Sequence, residues 1–354
     1  MNMKVLAIET SCDETSVAIV ENGDTICSLI VNSQIDIQKA FGGVVPEIAA
    51  RSHIEVILPV IQEALDAAAC SWDDIDAIAV TQGPGLLGSL LIGVLTARTL
   101  AWSMQKPLYA VHHILGHIYA NWITAGPVYS TPYPTAQPEF PILALIVSGG
   151  HTQLMLATDH NDWRVIGRTR DDAVGEAFDK VAKVLGLPYP GGPSVAKAAE
   201  NGDSQKYQLP MPQVDTPYDF SFSGLKTAVL RAVQRECGKQ HDFPSFELAK
   251  LLNQQQVSDF AASFQTQAIK YLVTKTKKAF DEFQPKTVII GGGVAASLPL
   301  RTALSEAIPL EIQYAPPLLC TDNAAMIGAR AYFQSKSEDP IDPHSVETKP
   351  SWPL

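Results

Sequence analysis

The chain has 354 residues, 46% of them hydrophobic and 18% charged, which excludes a disordered or fibrous protein and suffices for two domains of ordinary size. Its net charge of -11 makes the surface as a whole repel nucleic acid, so such a substrate needs a local basic patch or a partner subunit. Five scattered cysteines without a CxxC exclude a disulfide framework and a thiolate zinc knuckle. The early acids of "MNMKVLAIETSCDE" do not suit a signal peptide, so a reducing cytoplasm is expected.

The opening run predicts strands over 4–9, 15–21 and 25–32, with Asn22-Gly23 as a hairpin signal. A helix follows with Pro46 in its first turn and Pro59 expected to kink it. After a short strand comes "GLLGSLLIGVLTARTLAWSM", residues 85–104, apolar enough to resemble a membrane span. Arg98 would cost about 2.5–3.5 kcal/mol at mid-bilayer, so a buried helix is the better reading. Residues 124–141 hold five prolines and no periodicity, which predicts an exposed linker. The pattern then restarts: three strand-like runs from Pro141, a helical region, the strand "TVIIGGG" and a helix. The expected organisation is therefore 1–123 as an N-terminal lobe, 124–141 as linker, 142–334 as a C-terminal lobe and 335–354 as an irregular tail. Two such halves would leave a cleft between them; a single large α/β domain is the alternative.

Three small-residue turns follow strands: "ETSCDETS" (9–16), "SGGHT" (148–152) and "GGGVAAS" (291–297). Glycines let backbone N–H groups converge on phosphate oxygens, so three such turns point to a nucleotide cleft. Neither a P-loop nor a GxGxxG occurs, which disfavours a doubly wound dehydrogenase. In "HHILGH", His113 and His117 are four apart and share a helical face, a spacing that suits a metal. Asp322 in "CTDNAAM" is the candidate third ligand, with a helix N-cap as its plain alternative. Two histidines and a carboxylate leave coordination positions open, as ferrous iron or zinc requires. A zincin protease would need HExxH, and the helix offers no general base. Asp179 and Lys180 could bind a hydroxyl or carboxylate, or could belong to a solvated face. Ser221, Ser223 and Lys226 sit at a loop-to-helix junction, and Lys275, Lys277 and Lys278 read chiefly as a solvated face.

Taken in order, "IETSCDETSVAIV", "GGVVPEIAARSH", "GPGLLGSLLIG", "HHILGH", "VSGGHTQL", "GEAFDKVAKVLGLPYPGGP", "FSFSGLKT" and "CTDNAAMIG" resemble the TsaD/Gcp family across roughly residues 3–332. The resemblance implies an α/β fold of the actin/Hsp70/sugar-kinase ATPase type, with two duplicated lobes around a nucleotide cleft. It implies a tRNA-modifying acyltransferase that moves threonylcarbamoyl from threonylcarbamoyl-adenylate to N6 of adenosine-37 in tRNAs reading ANN codons, with release of AMP. It further implies one iron (Fe2+), or zinc, per subunit on His113, His117 and Asp322. Ile146, Val147, Ser148, Gly149 and Gly150 would cradle the phosphate and acyl part of the donor. Asp179 and Gly192 would contact its nucleoside, with Glu176 nearby, and Asp13 and Glu14 would lie near the reacting centre. Ser297 departs from the family pattern, which commonly has asparagine there, and Leu115 stands where relatives carry glutamate. Implied partners are tRNA, an inactive TsaB-like paralogue and a TsaE-like ATPase. The competing readings are a small-molecule kinase or ATPase of the same fold, a silent scaffold subunit and a metallopeptidase. The first has little use for the histidine pair, the second should lack the metal triad, and the third lacks its glutamate.

Overall fold

In the computed structural model, residues 2–126 and 137–354 are described. The first half comprises β1 (Lys4–Glu9), β2 (Glu14–Glu21), β3 (Thr25–Ser33), α1 (Ile35–Lys39), α2 (Pro46–Ala67), β4 (Ala77–Gly83), α3 (Leu87–Ser103), β5 (Leu108–His112) and α4 (His113–Tyr119). The second comprises β6 (Ile142–Val147), β7 (Thr152–Ala157), β8 (Trp163–Arg168), α5 (Val174–Leu185), α6 (Gly191–Ala199), α7 (Ser223–Glu236), α8 (Ser245–Leu248), α9 (Gln254–Phe283), β9 (Thr287–Gly291), α10 (Leu298–Ala307), β10 (Ile312–Tyr314), α11 (Pro317–Cys320) and α12 (Ala324–Gln334).

The strand order β3-β2-β1-β4-β5 recurs as β8-β7-β6-β9-β10. In each sheet an antiparallel meander is extended by two parallel strands. This repeated mixed sheet is the duplicated actin/Hsp70-like fold. Parallel strands buried on both faces need near-continuous apolar runs, and "AIAVTQG" of β4 is buried at every position. Asn22 and Gly23 take positive φ of 54° and 74°, as the hairpin signal requires, and Glu21 pairs with Thr25 across a three-residue turn. The helix α2 runs through Pro59 without a break. α3 packs on β4 and α2, and no described helix is long and apolar enough to cross a membrane. Most of the expected linker, residues 127–136, lies outside the described residues.

One expectation about the second half is corrected: α12, placed in the 142–334 lobe, packs on α4, β1 and β2 of the first half. Its small face is the reason: Gly328 approaches Val20 and Ala7 so closely that a Cβ would sit 2.7 Å from the Val20 side chain. The chain thus crosses back, and the segment that ends the expected C-terminal lobe completes the first one. The tail, 335–354, has the expected irregular structure and is bound in place. Ile341 N donates to Leu108 O (2.9 Å), Lys349 N donates to Gln82 O (2.8 Å), and Val346 is buried in the core shared by α2, α3 and the first sheet.

Candidate metal centre and cleft

The centre begins with β1, whose apolar run ends in a carboxylate. Glu9 is fully buried. It accepts hydrogen bonds from Ser11 N (2.5 Å) and the Thr81 hydroxyl, and its Oε2 lies 3.2 Å from His113 Nδ1. A carboxylate on Nδ1 fixes the ring so that Nε2 points the other way, toward Asp322. There Asp322 Oδ1 is 3.6 Å from His113 Nε2 and 3.1 Å from His117 Nε2. The two imidazoles meet edge to face, with centroids 4.7 Å apart, one helical turn apart on α4. Asp322 is free for this role because Asn323, not Asp322, caps α12 by accepting from Met326 N (3.1 Å).

One ligand atom from each of His113, His117 and Asp322 lies within 4.8 Å of the others, so this group could hold a metal ion. His117 supplies the test of fit. It is 1% exposed, yet neither ring nitrogen makes a well-directed hydrogen bond; the Asp322 contact is close but poorly aligned. A buried imidazole left unsatisfied is costly unless something else takes its lone pair, and a cation does so. Two imidazoles and one carboxylate are a donor set that ferrous iron and zinc both accept.

Without a cation the electrostatics are taut. Burial opposes charge on His113, but Asp322 and Glu9 outweigh it and raise its pKa to about 9. Burial likewise opposes ionisation of Asp322 and Glu9, yet the histidine charge holds both below the usual carboxylate range. Glu14 is pushed up to about 9 by burial, Asp322 and Asp13. His151 is driven down to about 4 by burial and by His113 and His117, so it stays neutral. A prediction follows for the metal-free protein. Raised from 6.5 to about 9, His113 contributes stability that is full below pH 6.5 and is lost as pH rises through 9. The wild type should therefore lose roughly 3 kcal/mol more than His113→Gln between pH 6 and pH 10. Urea unfolding of both proteins at the two pH values measures this; parallel losses refute it.

Asp13 ends the turn between β1 and β2, and Glu14 opens β2. Ser11 N is taken by Glu9, and the Asp13 carbonyl accepts from Gln34 N (3.0 Å). The turn is thus closed by Glu9 and by main-chain bonds, which leaves the Asp13 carboxyl beside Glu14 and the Cys12 thiol. His53 of α2 grips the same turn: Nε2–H donates to Cys12 O (3.1 Å) and Nδ1 accepts from the Thr15 hydroxyl (2.7 Å). Burial lowers its pKa and keeps it in this neutral form. From α3, Ser89 Oγ also donates to Cys12 O (3.0 Å).

Across the cleft, Ser148, Gly149 and Gly150 form the open turn after β6, and a Cβ at either glycine would meet nothing within 4 Å. Gly292 lies against this turn at φ +91°, where a side chain would come within 2.5 Å of Val147 O. Ile146 and Val147 do not line the cleft. Both are fully buried, with backbones paired in the ladder, so an accessible surface begins at Ser148. Asp179 Oδ1 accepts from Gly191 N (2.7 Å), which ties α5 to the turn that presents Gly192. Glu176 is engaged by Lys180 at 2.7 Å, and Lys180 and Lys226 both bind Asp172. These four side chains form one ion-pair cluster in the second half, with Glu176 and Lys180 still partly exposed. Ser297 precedes α10 without using its hydroxyl as a cap. Lys275 donates to the carbonyls of Thr216 and Pro217, and Lys277 pairs with Asp281. Two residues escaped the sequence reading. Glu9 was visible only as an acid closing an apolar strand. Tyr189, in "PYPGGP", has its phenol pKa raised by burial and by Asp13 and Asp179, acids of the two halves.

The family model for TsaD, tRNA N6-adenosine threonylcarbamoyltransferase, matches residues 25–329. The tRNA N6-adenosine threonylcarbamoyltransferase of Halalkalibacterium halodurans is 51% identical over 338 residues, covering 94% of this chain and 92% of that one. The Bacillus subtilis protein of the same name is 49% identical over 338 residues, covering 93% and 89%. Among solved structures, T.kodakarensis HypF aligns with 94% of this chain and 48% of its own at a TM-score of 0.60 and 12% identity, a likeness of fold.

Proposed function

The chain belongs to the tRNA N6-adenosine threonylcarbamoyltransferase family and is an acyltransferase acting on tRNA, and from that premise we propose how its cleft is used. The donor is threonylcarbamoyl-adenylate, a mixed anhydride, and the acceptor is N6 of adenosine-37 in tRNAs reading ANN codons. The amine forms a bond to the carbamoyl carbon, the carbon–oxygen bond to phosphate breaks, AMP leaves and N6 gives up one proton. The observation that carries this reading is that α4, which brings His113 and His117 to Asp322 in a group able to hold a cation, packs against β6 and β9, whose ends lead into the open 148–150 turn and Gly292.

In this reading backbone N–H groups of Gly149 and Gly150, with the Ser148 hydroxyl, hold the phosphate; the Ser148 N–H itself donates to His151 O (2.9 Å). Asp179, Gly192 and Ser297 contact the nucleoside, with Ser297's uncapped hydroxyl in place of the family's amide. His113, His117 and Asp322 hold iron or zinc, which when bound supplies a Lewis acid for the donor's oxygens. Asp13 takes the proton from N6, and Glu14 stands beside it. Positioning of the weak amine against the anhydride is the main source of rate.

The partner reading rests on a surface. Ile54 and Leu58 of α2 and Leu87, Leu91 and Leu95 of α3 are exposed at helical spacing on two helices packed together. Such a stripe suits an apolar helix pair of a second subunit, in keeping with a TsaB-like paralogue; a TsaE-like ATPase completes the assembly. Free cysteines fit a reducing, cytoplasmic setting. A single-turnover assay with threonylcarbamoyl-adenylate, tRNA and these partners tests the chemistry. AMP should appear in step with modified tRNA, one for one. AMP formed without tRNA modification would make the cleft a hydrolase and overturn the reading.

A further inference from the structure

The terminal segment does more than fill a groove. Gln82 Nε2 donates to Glu347 O (2.8 Å), Lys349 N returns a bond to Gln82 O (2.8 Å), and Gly85 N donates to Pro350 O (3.1 Å). The close fit is visible at Gly83, where a Cβ would fall 1.8 Å from Lys349 O. Lys349 Nζ lies 4.3 Å over the Trp352 ring, which packs on His112 with centroids 4.8 Å apart. Trp352 O then accepts from His112 Nε2 (2.9 Å). That bond fixes the proton on Nε2, so Nδ1 is an acceptor, and it accepts from Ile114 N (3.2 Å) as the N-cap of α4. The next residue is His113. A second route runs through Leu86 N, which donates to Ser11 O (2.8 Å); Ser11 Oγ lies 3.2 Å from His113 Nδ1.

We infer that residues 347–352 act as a strap that positions the metal-binding helix α4, with His112 as the relay. α4 is only seven residues long, too short to hold its own geometry. Its two histidines must nevertheless point at one spot. The strap holds the N-cap residue His112 itself, whereas Glu9 and Asp322 hold the next residue, His113. It also walls a cavity of about 220 Å³ that His112, Ile114, His151 and Arg168 share, so it borders the cleft without filling it. This assignment rests on the metal reading of His113, His117 and Asp322.

Two variants of this chain test it. Deleting Pro350–Leu354 removes the Trp352 carbonyl and ring but keeps the Val346, Glu347 and Lys349 anchors. His112→Asn keeps an N-cap acceptor but cannot reach Trp352 O. Metal-free protein is followed by amide hydrogen exchange of residues 114–119, and zinc-loaded protein by loss of zinc to a chelator. Each variant should exchange α4 about tenfold faster and lose zinc about tenfold faster, as for removal of an outer-shell partner. The combined variant should be no worse than either alone, with the global unfolding midpoint little changed. Wild-type exchange of α4 in the deletion variant would overturn the strap, and so would full additivity of the two changes. Failure of zinc to bind the wild type would instead refute the metal reading while leaving the α4 exchange result to judge the strap.

Discussion

Asp322→Asn should yield a folded protein that purifies without its metal and transfers no measurable threonylcarbamoyl group to tRNA. Asparagine keeps the size and a hydrogen-bonding oxygen, and Asn323 still caps α12, so the helix survives. What disappears is the anionic ligand shared by two imidazoles. Loss of an outer-shell partner costs 10–100-fold in metal affinity, so loss of the anionic ligand itself should exceed about 100-fold. In the metal-free state the same change removes the largest attraction on His113, whose pKa should fall back from about 9. Elemental analysis and a single-turnover assay read the first two effects, and histidine NMR titration reads the third. A variant that keeps its full metal content and rate would remove Asp322 from the site.

Asp13→Asn should leave folding, metal content and adenylate affinity close to wild type while slowing transfer by roughly 10²–10⁴, the span of a positioned acid or base. Were Asp13 a turn residue, asparagine would serve equally, because it accepts the same bond. The geometry favours the chemical role: Glu9 closes the turn, and His53 with Ser89 fixes its Cys12 carbonyl. Near-equal single-turnover rates would return Asp13 to a structural part.

The parts of this centre that could be read in the sequence are those whose spacing is itself the geometry. His113 and His117 share a face because a helix repeats every 3.6 residues, and the glycine turns announce themselves by following apolar strands. Glu9 was not legible as a support for His113, because its partner lies 104 positions away and an acid at a strand end reads as a boundary. Ile146 and Val147 were assigned with their turn, yet Ile146 is paired on both sides and Val147 with Thr152, and both stay in the core. The path of α12 was hidden for another reason. "AAMIGARAY" offers a small face to any sheet, and only the close approach at Gly328 selects the first. The strap was hardest to see: its attachments are main-chain hydrogen bonds, which leave no periodicity in side chains.

The return of α12 and the strap to the first sheet sets an order of events on the ribosome. β1 and β2 are made at the start, but the helix that covers Ala7 and Val20 comes only after the whole second sheet. At about 5–20 residues per second, the wait is on the order of tens of seconds. During it, the emerging first half shows an uncovered apolar face and two histidines without their aspartate. The first-made half is thus the last to mature. A nascent chain stalled before residue 322 should be a chaperone client that cannot be rescued by metal, whereas release of the full chain completes the fold and the centre together.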